Sequence, residues 1–200
     1  MTATQIFVLQ IFINLLVFGL AARRYVLPLL RRLPFVEALT PLILAHALRT
    51  MGLAFLIPGV AGGELPQAFA APGAYGDLLA VVLALLSVLA LRRGWRGAPA
   101  LVWVFSVLGL LDFVNAYAQG VRFDLIGSYP LGALWFIPTF AVPAFSVLHV
   151  LVIVVLVTRG HEYRLARRRE RSVHHASLCA RLTLDRSPAG NPLHRGWTKG

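Results

Sequence analysis

A chain of 200 residues that is 58% hydrophobic and 14% charged, with a mean hydropathy of +0.74, cannot cover a soluble surface, where roughly a quarter of residues are charged. Nearly half of its charged side chains lie at or beyond Arg159, so the first 158 residues are long apolar runs with few charges between them. Net charge +11 would suit nucleic acid in a soluble chain, but here the basic residues flank apolar runs and no nucleic-acid partner follows; the single cysteine, Cys179, excludes an internal disulfide and a cysteine-cluster metal site.

The first apolar run, about 4–22, has no preceding positive charge and is closed by Arg23 and Arg24. That order predicts an uncleaved anchor with the N-terminus outside. The second run, about 35–58, is interrupted by Pro41, His46 and Arg49, and a Gly/Pro/Ala-rich connection over 59–73 follows. The third, about 74–91, ends at Arg92, Arg93 and Arg96; the fourth covers about 99–118; a short loop leads to the fifth, about 131–158. A hydrocarbon core needs about 20 helical residues. The fifth run would reach about 42 Å as a straight helix, so with Pro138 and Pro143 inside it is either one kinked span or an interfacial segment followed by a span. A plain kink at these prolines is favoured over carbonyls freed to line a cavity. The predicted fold is all-α: a polytopic membrane protein, a bundle of five transmembrane helices.

Arginine placement orients it. The segments after the first, third and fifth runs hold 17 of the 19 Lys and Arg residues, which puts them in the cytoplasm by the positive-inside rule. The tail over 159–200 reads as a short basic helical continuation, then disorder; it fixes orientation and would attract anionic lipid head groups at about 1 kcal/mol per residue. The bilayer is that of a bacterial inner (plasma) membrane. Association with copies of itself or with another subunit stays open.

Ionisable groups at bilayer depth cost about 2.5–3.5 kcal/mol on insertion scales and persist when paired, when facing a cavity or when functional. The candidates are Arg49, Asp112, His46, His149 and Asp77, with Gln10, Asn14, Asn115 and Gln119 as neutral companions. Counted from the cytoplasmic ends, Arg49 and Asp112 both lie about 20 Å up, and Asp77 at a similar level. His46 and His149 come slightly lower. The simplest construction is an Arg49–Asp112 pair, joined by Asp77 as second carboxylate if the third span is adjacent. Alternatively Asp77 caps the start of the third helix. The spacing of Asp112, Asn115 and Gln119 reads as one stripe, with Asn115 orienting the site.

The arrangement supports a polar pocket that binds or passes a small ligand, an anion if Arg49 is its anchor. The alternative is an accessory or assembly subunit whose polar layer only locks helices in register. A weaker alternative is a membrane enzyme acting on a lipid or quinone, with His46 or His149 as base. The two histidines could also hold a haem axially, but no cofactor and no metal site is implied. No P-loop, GxGxxG, GxSxG or HExxH motif is present.

Overall fold

A computed structural model describes residues 1–57, 59–61 and 63–185, with side chains through Tyr163 save those at 58 and 62, and that of Leu165. All regular structure among these residues is helical, and five helices are long and apolar enough to cross a membrane. They are α1 (Ala3–Leu30), α2 (Phe35–Leu56), α3 (Gln67–Arg92), α4 (Ala98–Arg122) and α5 (Gly132–Tyr163). Met1–His161 forms one compact unit and Glu162–Gly200 a second. Helical backbone is described as far as Asp185, longer than the short continuation expected past 158; residues 186–200, the rest of the tail expected to be mostly disordered, lie outside those described.

Several limits move outward from the hydropathy runs. Helix α1 continues through Arg23 and Arg24 in a π turn, Ala22–Val26, because both side chains are exposed and leave the backbone free to go on. Helix α3 begins at Gln67, within the stretch expected as a connection, because Pro66 can precede a first turn and Ala and Gln then propagate it. Helix α4 runs on to Arg122, whose charge sits favourably at a helix C-terminus.

Helix α1 opens with a capping box. The Gln5 backbone N–H donates to Thr2 Oγ1 at 3.2 Å, and the Thr2 N–H donates to Gln5 Oε1 at 2.9 Å. Most of α1 is exposed and apolar, as suits a lipid-facing helix. The ridge of Phe7, Gln10, Asn14 and Phe18 lies on the irregular start of α5. Phe7 meets Trp135 edge to face at 5.2 Å, and Phe18 meets Phe140 at 5.1 Å. Trp135 Nε1 donates to Gln10 Oε1 at 2.6 Å, and Asn14 Nδ2 donates to the Thr139 carbonyl at 2.7 Å. Gln10 and Asn14 therefore tie two helices together and do not join the charged layer.

The fifth run is one continuous but irregular helix: a 3-10 turn over Gly132–Trp135, a π turn over Ile137–Ala141, then α-helix from Val142. Proline lacks an N–H and so leaves carbonyls unpaired in the preceding turn. Here side chains use them. Tyr117 Oη donates to the Pro138 carbonyl at 2.7 Å, Asn14 takes that of Thr139, and Thr139 Oγ1 donates to the Trp135 carbonyl at 2.7 Å. The prolines do more than kink the chain. They supply acceptors that bind α1 and α4 to α5.

Helix α3 packs against both α2 and α4. Its buried face is built of small side chains, among them Ala70, Ala74, Ala80, Ala84, Ser87 and Ala90. Small residues let backbones approach closely where lipid supplies no hydrophobic drive, and that approach brings charges on three helices within bonding distance.

Candidate functional site

The site starts from the winding of α2. After Phe35–Leu44 the helix tightens into a 3-10 form over Ala45–Leu56, unusually long for a geometry that seldom exceeds three or four residues. With about three residues per turn, side chains three apart eclipse one another. His46, Arg49 and Gly52 thus form one straight row, and they are the three buried residues of this segment.

Arg49 is 1% exposed and reaches two carboxylates. Its Nε donates to Asp77 Oδ1 at 2.6 Å, and its Nη2 donates to Asp112 Oδ2. Nη1 points at the Gly109 carbonyl at 3.4 Å, and the guanidinium carbon lies 4.1 Å from the Phe113 ring centre. Charge-assisted bonds from the planar fork fix both aspartates. The formal charge of the triad is −1: two carboxylates against one guanidinium. The expected Arg49–Asp112 pair is present, with Asp77 as its second carboxylate; the anions that Arg49 holds are the protein's own.

Three glycines make the triad possible. A Cβ on Gly52 would overlap the Asp77 carboxylate, one on Gly76 the Asp112 carboxylate, and one on Gly109 the His149 ring, with Arg49 Nη1 at 3.1 Å. Each of α2, α3 and α4 contributes one, so bare backbone faces the charged groups from three sides.

One 3-10 turn from Arg49, the His46 ring stacks on that of His149 with centroids 4.0 Å apart and planes 39° apart. Both are fully buried. Phe105 lies 5.0 Å from His46 and 4.9 Å from His149; Phe145 and Phe113 complete the surround. None of the four imidazole nitrogens has a hydrogen-bond partner. Axial haem ligation by this pair does not fit. Axial ligation places the metal between two opposed ring nitrogens at about 2 Å from each, which holds the ring centroids about 6 Å apart, and these rings touch each other at 4.0 Å.

A cavity of about 100 Å³ adjoins the triad, and neither histidine lines it. Its walls are mainly apolar and aromatic, including Phe7, Phe55, Phe69, Phe113 and Tyr117. Its charged groups are Asp77 and Asp112, whose side chains keep 12% and 18% of their surface exposed. Arg49 lies behind them and does not line it.

Of the predicted site residues, Arg49, Asp112, Asp77, His46 and His149 come together. Asp77 is no helix cap: α3 starts ten residues earlier, at Gln67, which leaves Asp77 in the helix interior and bonded to Arg49. Asn115 is a correction. It is exposed and takes no part in the Arg49 bonds. Each three-residue step on an α-helix falls about 60° short of a full turn; Asp112 already sits at the edge of the buried face, and Asn115 rotates past it. The reading missed Gly52, Gly76, Gly109 and Phe113. A signal was present for the glycines: Gly52 and Gly109 lie three residues from Arg49 and Asp112, and Gly76 is next to Asp77.

No curated protein and no solved structure matches the chain. Residues 6–157, which hold all five of the charged and imidazole groups described above, match the family described as Domain of unknown function (DUF8737), and the chain belongs to that family.

Proposed function

We propose that this membrane protein binds a small ligand in the cavity beside Asp77 and Asp112. The observation that carries the reading is a concave, aromatic-walled space between candidate membrane-spanning helices, with two partly exposed carboxylates in its lining. Mostly apolar pockets with a few convergent polar groups are the usual form of small-molecule sites. The positive-inside pattern supports an N-terminus outside and the segments after α1, α3 and α5 in the cytoplasm of a bacterial inner membrane. It also supports contact of the basic tail with anionic lipid head groups.

A second reading is favoured by Arg49, each of whose three side-chain nitrogens donates to the protein itself. In that reading the triad is helix glue in an accessory subunit. Mass spectrometry of small molecules retained by purified protein separates the two. Ligand binding predicts a co-purifying molecule that is lost from Ala116→Phe, a change that fills the cavity, and from Arg49→Ala. Helix glue predicts no difference between wild type and the folded Ala116→Phe protein.

A further inference from the structure

We infer that the cavity takes a small amine, with an apolar body and one positive charge directed at Asp77 and Asp112. The inference rests on the ligand-binding reading and adds the chemical class of the ligand. Four observations on different atoms lead to it.

The first is charge. Two carboxylates share one guanidinium, so the site carries a formal surplus of −1, and an unbalanced charge inside a bilayer is costly. The second is access. Arg49 is 1% exposed and sits behind the aspartates, so a molecule in the cavity meets carboxylate oxygens and no guanidinium donor. The third is acceptor capacity. Arg49 takes one bond at Asp77 Oδ1 and one at Asp112 Oδ2, while Asp77 Oδ2 and Asp112 Oδ1 lie against Gly52 and Gly76. A carboxylate has about four lone-pair sites, so each aspartate keeps capacity for an N–H donor from an ammonium. The fourth is the wall. Phe55, Phe69, Phe113 and Tyr117 border the same space, and aromatic faces attract a cation while accommodating alkyl groups.

An anion is disfavoured by the same geometry: it would face two like charges, and Arg49 does not line the cavity. A bare metal ion is also a poor fit, since hard cations take about six or more oxygen ligands and this wall is nearly all carbon.

The test uses three molecules of one size and shape on full-length protein in nanodiscs: n-butylamine, 1-butanol and butyrate, titrated at neutral pH by saturation-transfer NMR. Butylamine should bind at least about tenfold more tightly than butanol, and butyrate should not bind detectably. Asp112→Asn should bring the amine-to-alcohol ratio towards one while keeping butanol binding; Asp77→Asn serves the same purpose if the first variant does not fold. Ala116→Phe should abolish binding of both. Equal binding of amine and alcohol to the wild type overturns the amine assignment and leaves a ligand cavity standing. Displacement of butylamine by sodium chloride but not by choline chloride also overturns it, in favour of an inorganic cation. No binding of any probe, or binding unchanged in Ala116→Phe, overturns the cavity reading itself and this inference with it.

Discussion

The uneven charge of the triad predicts that its members are not equally important for stability. Asp112→Asn keeps an oxygen acceptor for Arg49 Nη2 and brings the formal charge from −1 to zero. Arg49→Gln leaves two carboxylates facing each other with a charge of −2, and removes the donor that each of them uses. Breaking a buried ion pair by taking one partner away costs about 3–5 kcal/mol, because a charge is left uncompensated. The loss of a single hydrogen bond, when a neutral partner of the same shape remains, is about 0.5–1.5 kcal/mol. At about 2–4 °C per kcal/mol for a chain of this size, Arg49→Gln should lower the unfolding midpoint by roughly 6–20 °C. Asp112→Asn should lower it by no more than about 6 °C. Thermal unfolding in mild detergent, followed by the fluorescence of the four tryptophans, measures both. If Asp112→Asn costs as much as Arg49→Gln, the site has no surplus negative charge and the reasoning from formal charge is wrong.

Gly109→Ala would place a methyl on the His149 ring, which is itself held by His46 and Phe105; overpacking of this kind costs about 1–3 kcal/mol. Gly19→Ala, in open space on α1, should be neutral or stabilising by up to about 1 kcal/mol, so only Gly109→Ala should lower the unfolding midpoint below that of wild type. Exchanging the charges, Arg49→Asp with Asp112→Arg, should recover only part of the stability lost by Arg49→Asp alone, because Asp77 on α3 meets Arg49 through Nε, and a double-mutant cycle measures the shortfall. Tyr117→Phe removes the donor to the Pro138 carbonyl and should lower stability by about 1 kcal/mol without affecting the triad, as read by the same melting assay.

The helix count and the meeting of Arg49 with Asp112 and Asp77 were legible because hydrophobic length and depth along a helix are additive along the chain. A residue count gives height to within a turn, and height alone was enough to pair these groups. Rotation about the helix axis was less legible. Asn115 was assigned to the stripe of Asp112 on spacing, yet an α-helical step of three turns it outward, whereas the same spacing works for His46 and Arg49 because that segment winds three residues per turn. The 3-10 segment of α2 packs on α3, and a local pattern does not encode such a contact. Helix limits erred for a related reason. Exposed arginines in α1 and an alanine-rich approach to α3 both read as connections, although neither prevents helical hydrogen bonding. The glycines were overlooked because their role is to leave room for a side chain on a different helix.

The long 3-10 stretch of α2 makes side-chain alignment conditional on pitch. Rewound as an α-helix, Ala45–Leu56 would contract by about 6 Å, from about 2.0 to 1.5 Å of rise per residue. His46, Arg49 and Gly52 would then fan out like a spiral stair, each about 60° behind the last. The guanidinium could no longer span both aspartates while the imidazole stayed against His149. The column of polar groups in this protein is therefore a property of how tightly one segment is coiled, and any force that loosens the coil dismantles the column from within.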